Sequence, residues 1–524
     1  MQRRGLLMSD PGLLTVGLQD IVVGLVAPIG TDLDPVCRAL ASSFERLGYS
    51  SQQVRLSQHL DEVQEVFQLD LNHTTEEQRY EKYMTAGNKF RRAMERGDAL
   101  SMVGVGALRE LRKKSTHPRH AFILRSLKHP DEVQSLRNIY GPAFVLFSLA
   151  SSRTARVQHL SKKICKSHQE FDSSRFLPEA EQLINRDQQE PNDRMGQKVS
   201  KVFHLADFFV DVDHGMEEAV KRLVELFLGN VFITPTRTEQ GMFLAHASAW
   251  RSASLQRQVA AVIATADGNV IATGTNEAAK PGGGLYWEGD SPDCRDFQRG
   301  GEINDDMKHR MLVEVVQRML KSGMCHQKND DGSDHQLAGE KDAQKVVEWL
   351  ITNQHMDNTR ILSVLEFGRC VHAEMAALMD AARRGAGVDG SSLFSTTFPC
   401  HECARHIVAA GIKKVYYIVP YPKSLVNELY PDSIRIEGDE CGGFVSFVPF
   451  VGVAPRRYQD VFRVGDVDRK AFVAYAHDWK PEVANPRLGE YPSRTQKINM
   501  AAEEAALDEF SKHFESVKNG FHQT

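Results

Sequence analysis

His372-Ala373-Glu374, followed later in the chain by Pro399-Cys400-His401-Glu402-Cys403, are the stretches on which the fold turns. One imidazole and two thiolates give zinc three protein ligands and leave a fourth position for water, the composition of a catalytic rather than a closed structural site. Two cysteines separated by two residues at a helix start can face one ion, and the positive end of the helix favours their thiolate form. Glu374, two residues after His372, is placed to move protons rather than to bind metal. Leu393, Phe394 and Phe398 among serine and threonine neighbours predict a buried strand that delivers Pro399 and Cys400, and Ala373 to Ala382 predicts a helix.

Either half of this pattern alone is ambiguous, since Cys-x-x-Cys also serves redox and structural sites. Together they match H-x-E…P-C-x-x-C, the signature of zinc nucleobase deaminases. The expectation is therefore Zn2+ held by His372, Cys400 and Cys403, with Glu374 catalytic. Around the motif, Thr238 to Ala249 reads as a helix. Gln258 to Thr265 and Val270 to Thr275 read as strands joined by the turn Ala266-Asp267-Gly268-Asn269. Asn276, at the end of the second strand, is expected to meet a nucleotide's sugar, the alternative being an asparagine that caps the turn. Ile412 to Val419 gives another strand, and Lys423, Arg456 and Arg457 are candidate phosphate contacts. Between Glu277 and Glu366 lies an insertion that opens with the glycine lip Gly282-Gly283-Gly284 and carries a helix-like stretch, Met307 to Leu320. Within it Cys294, Cys325, His326 and His335 are candidates for a second zinc, although their spacing fits no compact pattern. Lys328 to Gly339 reads as a polar loop.

The first half reads differently. The apolar run Ile21 to Val26 predicts a buried strand, followed by Ala27-Pro28-Ile29-Gly30-Thr31-Asp32 and a helix from Pro35 to Leu47. Strand, glycine-containing turn and helix is the order that holds phosphates at a helix N-terminus, so Ala27, Gly30, Thr31 and Asp32 are candidate nucleotide contacts. The alternation continues with strand Ala121 to Leu124, helix Pro130 to Asn138, strand Ala143 to Leu149 and helix Thr154 to Lys163, which predicts a parallel sheet covered by helices. Aligned on Gly30, however, Leu33 and Asp34 stand where a working P-loop has lysine and Ser/Thr. Loss of that lysine removes the main charge clamp for phosphoryl transfer, so a nucleotide-binding or regulatory domain is expected, with a purely structural domain and an active kinase as the alternatives. Arg153, Arg156 and Arg186-Asp187 are candidates for a lid over phosphates.

At 524 residues there is material for two or three domains. The expected boundaries are 1–235 for a degenerate P-loop domain, 236–480 for a deaminase-like domain with its insertion at 277–366, and 481–524 for a helical tail. In that tail Ala501, Ala505, Leu507, Phe510 and Phe514 form an incomplete apolar stripe. Eight thinly spread cysteines, two of them assigned to metal, suit a reducing, cytoplasmic setting. No apolar run reaches membrane-spanning length, and the stretch after Arg3-Arg4 is cut short by Ser9-Asp10-Pro11. A net charge of −5 gives no general attraction to nucleic acid. That weighs against a nucleic-acid editing deaminase, which needs a basic strand-binding channel. A nucleotide-sensing scaffold with a dead site would have lost Glu374 or a ligand; all four residues are present.

Over roughly residues 236 to 460 the chain resembles deoxycytidylate deaminases. Over most of its length it is similar to the bacterial anti-phage dCTP deaminases, which fuse an N-terminal P-loop kinase-like domain to such a deaminase. The resemblance is carried by Val26-Ala27-Pro28-Ile29-Gly30, Ser126-Leu127-Lys128-His129-Pro130, Arg257-Gln258-Val259, Thr273-Gly274-Thr275-Asn276-Glu277, Gly282 to Trp287, the zinc motif and Phe450 to Arg457. The resemblance implies an α/β chain with a P-loop NTPase-like parallel sheet followed by a cytidine deaminase-like αβα domain. It implies hydrolytic conversion of dCTP and dCMP to dUTP and dUMP, depleting the deoxycytidine nucleotide pool during phage infection, with restraint by a small RNA in some relatives. A homo-oligomer is expected, and no membrane partner. One departure bears on substrate choice. Ala376 stands where many deoxycytidylate deaminases have an asparagine.

Overall fold

The structure is a computed structural model that describes residues 20–188, 195–322, 327–328, 334–335, 339–357, 359–421, 424–436, 442–465, 467–487 and 496–521. The chain forms two compact units, one built from residues up to Glu239 together with Pro449 onward, the other from Gln240–Val448.

The first unit is organised around β1 (Ile21–Val26), whose six residues are all buried. With β2 (Ser50–Arg55), β3 (His120–Arg125), β4 (Phe144–Ala150) and β5 (Phe208–Asp211) it makes a sheet in the order β5-β4-β1-β3-β2, every neighbouring pair parallel. Strands buried on both faces read as continuous apolar runs. That is why β1, β3 and β4 stand out in the sequence, while the edge strand β2, Ser-Ser-Gln-Gln-Val-Arg, does not: only Val54 in it is buried. Helix α1 (Leu33–Arg46) follows β1 and starts at Asp32, whose carboxylate accepts from Asp34 N at 3.1 Å.

The expected boundaries need correction at the C-terminal side. Residues 449–480, expected with the deaminase-like half, belong to the first unit. The two-residue strand Gly452–Val453 pairs antiparallel with β5. Its anchor is the buried Glu239, which closes a capping box with Thr236, takes both terminal nitrogens of Arg222, and accepts from Val453 N at 2.9 Å. Gly452 has φ +121°, and a Cβ there would fall 2.7 Å from the Glu239 carboxylate. The helix Gln496–Phe521, expected as a separate tail, also packs in this unit. Its packed face matches the expected stripe in part: Phe510 is buried as expected, but Ala501 and Ala505 are exposed and the charged Glu503 is buried.

The second unit is a mixed sheet. Strands β6 (Ala260–Ala264) and β7 (Val270–Thr275) form an antiparallel hairpin, and β8 (Ser392–Thr397) pairs antiparallel with β6 on its other side. Next come β9 (Lys414–Val419), parallel to β8, and the short parallel pair β10 (Ile434–Ile436) and β11 (Val445–Pro449). Helices α2 (Ala373–Arg383) and α3 (His401–Ala409) carry the motif and bury Ala377, Leu378, Ala404 and Ile407 in the core of this unit. The insertion contributes the helices Ile303–Lys321 and Glu340–Thr352, joined by a small core of their own around Leu312, Val313, Leu320, Ala343 and Val347.

Candidate active site

Three short elements bring the site together. His372 is the N-cap of α2, which places its ring at the helix start and Glu374 in the first turn. Cys400 is the N-cap of α3, and its sulfur accepts from Cys403 N at 3.5 Å. The turn that presents the cysteines is fixed by Phe398 N donating to Val419 O at 2.8 Å and by the Ser424 hydroxyl donating to Pro399 O at 2.9 Å.

His372 Nδ1 lies 3.3 Å from Cys400 Sγ and 3.4 Å from Cys403 Sγ. Among the described residues this is the only trio of metal-binding side chains whose ligand atoms converge, all within 4.8 Å of one another. Both cysteines are buried. The Cys400 thiol is drawn down to about 4 by its hydrogen bond with Cys403, with His372 adding to the effect against the cost of burial. The Cys400 thiolate in turn holds the Cys403 thiol well above its ordinary value. One half-buried nitrogen and two buried sulfurs, one of them already favouring the thiolate, are a donor set that suits zinc in number and softness.

Glu374 is buried beside the trio and accepts from the Ser395 hydroxyl of β8 at 3.2 Å. Burial pushes its carboxyl above the ordinary range, and the Cys400 thiolate adds to the shift. A carboxyl raised in this way holds a proton more readily than a free one, which suits a group that takes a proton and passes it on. Sequence reasoning did not single out Ser395, because a serine inside a buried strand carries no signal by itself. Tyr421 and Arg257 also belong to these surroundings. Burial and the Cys400 thiolate raise the Tyr421 phenol, and the Arg257 cation opposes them. Arg257 sits in the motif Arg257-Gln258-Val259, which marked the segment without giving it a role.

The other expected contacts are distributed differently. Asn276 has both ends of its amide engaged: its oxygen accepts from Val259 N at 2.8 Å, and its nitrogen donates to Arg257 O at 2.7 Å. It therefore holds the backbone that carries Arg257. Arg456 and Arg457 lie in the first unit, on the helix Pro455–Phe462. Arg456 sits 3.4 Å from the buried Asp207 and donates to Leu205 O at 3.1 Å, while Arg457 reaches Asp460 at 3.2 Å and Pro142 O at 3.4 Å. Lys423 lies outside the described residues, as do Cys325 and His326. Cys294 is described, with its thiol paired with the Tyr286 phenol.

In the first unit, Lys128 donates to Ala27 O at 3.2 Å. Gly30 has φ +88°, and a Cβ there would meet Arg156 O at 2.8 Å, so this glycine is required by the close passage of the helix Arg153–Ser167. The Thr31 hydroxyl turns back to Pro28 O at 2.9 Å, and Asp32 caps α1. Asp34 pairs with Arg125 at 2.7 Å.

Residues 235–419 match the family described as cytidine and deoxycytidylate deaminase zinc-binding region. ComE operon protein 2 of Bacillus subtilis (strain 168) is 35% identical over 77 residues, 14% of this chain and 41% of that protein. The deoxycytidylate deaminase of Enterobacteria phage T4 is 37% identical over 70 residues, 13% of this chain and 35% of that one. That of Mus musculus is 45% identical over 47 residues, 9% and 25%. The chain thus spans no more than 41% of the length of these curated relatives. Among solved structures, the dCMP deaminase of cyanophage S-TIM5 in complex with dCMP and dUMP aligns at 19% identity over 41% of this chain and 98% of that one, with a TM-score of 0.22. Among the described residues no helix is long and apolar enough to cross a membrane. Residues 235–419 carry a cytidine and deoxycytidylate deaminase zinc-binding region, and His372, Cys400 and Cys403 are the cluster in it that suits the zinc.

Proposed function

We propose that this chain is a zinc-dependent hydrolase that converts deoxycytidine nucleotides, dCMP and dCTP, to the corresponding deoxyuridine nucleotides and ammonia. The observation that carries the reading is the buried Glu374 carboxyl, held by Ser395 beside the His372, Cys400 and Cys403 trio. Zinc in that trio supplies the Lewis acidity that makes water nucleophilic at neutral pH. Glu374 takes the proton of the water that attacks C4 of the cytosine, delivers it to N3, and moves the second proton to the departing amino group, which leaves as ammonia. Ser395 orients the carboxyl, and Asn276 fixes the segment whose Arg257 contributes positive charge beside the site for a nucleotide's phosphates.

We further propose that the first unit is a P-loop-type nucleotide-binding fold that has lost phosphoryl transfer. Support comes from its parallel sheet, the loop between β1 and α1, and Leu33 and Asp34 where lysine and Ser/Thr would be needed. Depletion of the deoxycytidine pool in anti-phage defence, with RNA restraint and a cytoplasmic homo-oligomer, rests on the family resemblance alone.

The test is to incubate the purified chain with dCMP, dCTP, CTP and single-stranded DNA and to follow loss of the amino group. Deamination of dCMP or dCTP that stops on chelation and returns with zinc is the expected result. Editing of DNA by a protein inert toward free nucleotides would assign the site to nucleic acid instead.

A further inference from the structure

In open parallel α/β sheets, ligands bind beyond the carboxyl ends of the strands, where the strand order changes direction. In the first unit that point lies beside β1, which is flanked by β3 and β4. The loop after β1 and the loop after β3 meet there. Lys128 follows β3 at a turn where Ser126 adopts φ +72°, a left-handed conformation uncommon for a residue with a side chain. The turn is pinned by Leu127 N donating to Leu25 O at 2.9 Å and by the Glu132 carboxylate accepting from Lys128 N and His129 N. The lysine side chain is thereby directed at the first loop and reaches Ala27 O.

A carboxylate already sits in this place. Asp187, near the end of the helix Leu177–Gln188, accepts from Ile29 N at 3.0 Å through Oδ2. Its Oδ1 lies 3.6 Å from Lys128 Nζ and has no hydrogen-bond partner among the described residues, although the side chain is only 4% exposed. A buried anion held by one loop N–H and one lysine, with an oxygen left unsatisfied, is costly unless something compensates it. The residues that hold it are the kinds that hold a phosphate: a backbone N–H of the loop after β1 and a lysine ammonium.

We propose that the Ile29 N–H and Lys128 form a seat for one phosphate group and that Asp187 is its intramolecular occupant, which a phosphate-bearing ligand must displace. The lysine missing from α1 is replaced in this reading by Lys128 from the neighbouring loop. Displacement swings the end of the helix Leu177–Gln188 away from the loop, so occupancy of the seat is tied to the position of that helix. The proposal deepens the reading of the first unit as a phosphate-binding fold and is independent of the chemistry at Glu374.

The test measures binding of inorganic pyrophosphate, and separately of ATP, to the full chain by calorimetry, so that a bare phosphate ligand and a nucleotide are told apart. Asp187→Ala is expected to bind one or both probes about tenfold more tightly than wild type, because a like charge has left the seat. Asp187→Ala combined with Lys128→Ala is expected to lose that gain. Should Asp187→Ala unfold early, Asp187→Asn removes the charge but keeps an acceptor for Ile29 N–H, and the same gain is expected of it. A folded Asp187 variant that binds both probes only as wild type does overturns the plug while leaving phosphate binding by the unit intact. If no protein in the series binds either probe, both the seat and the phosphate-binding reading of the first unit fall, whatever the outcome of the deamination assay.

Discussion

Glu374 and the cysteines beside it do different work, and substitution separates them. Glu374→Ala removes a proton carrier that is not a ligand, so turnover is expected to fall by about 10²–10⁴-fold with zinc content unchanged by metal analysis. Cys400→Ala and Cys403→Ala are expected to lose zinc and activity together. Full zinc occupancy in both cysteine variants would remove them from the ligand set. A second residue-scale effect lies in the first unit. Asp98 is buried, which raises its carboxyl, but the paired Arg96 guanidinium and the Ser135 hydroxyl outweigh burial and leave it below the ordinary value. A carboxyl depressed in the folded state stabilises above the unfolded value of about 3.9, and that stability is lost as pH falls through the folded value. Asp98→Asn should therefore lose less urea resistance than wild type on acidification below about pH 4. Parallel acid limbs would mean that Asp98 is not a source of the acid sensitivity.

At the scale of elements, the site depends on how closely β7 approaches α2. A Cβ on Gly274 would fall 2.2 Å from both Ala373 O and Ala377 N, backbone atoms of the helix that His372 caps and that carries Glu374. Gly274→Ala must push the strand and helix apart. A cost of about 1–3 kcal/mol is expected from such overpacking, together with reduced turnover as the helix start shifts. Wild-type stability and turnover in that variant would refute the close approach. The motif residues were legible because cysteine, histidine and glutamate at fixed spacing encode ligand geometry directly. The glycine was not: its requirement arises only when a strand and a helix distant in sequence come together. The same limit explains β10 and β11, too short to set up an alternation, and Asn276, whose amide is used by a backbone that no periodicity identifies.

At the scale of the whole molecule, the chain leaves the first unit at Glu239 and returns to it at Pro449, so the unit's last helix is contributed by residues far from its first strand. An apolar stripe read from sequence finds Phe510 on the packed side of that helix but misses the charged residue buried there, Glu503. Glu503, 2% exposed, accepts from Arg112 Nη1 and from the Tyr140 hydroxyl, each at 2.8 Å. Arg112 also pairs with Asp20, and the helix is fixed further along by His513 bonding to Met94 O at 2.7 Å and by the edge-on contact of Phe514 with Phe67. Burial alone would disfavour the Arg112 cation, yet the two carboxylates hold its pKa above the ordinary value, so the network depends on both acids being present. Glu503→Ala leaves Arg112 with one carboxylate and the buried Tyr140 hydroxyl without an acceptor. Removing one partner of a buried ion pair costs about 3–5 kcal/mol, and the first unit's urea midpoint is expected to fall accordingly. Glu503→Gln keeps an acceptor for the phenol and should fall by less. Because His372, Cys400 and Cys403 lie in the other unit, zinc content under native conditions is expected to stay at the wild-type value in both variants. Loss of zinc without loss of urea resistance would show that the two units do not partition stability in this way.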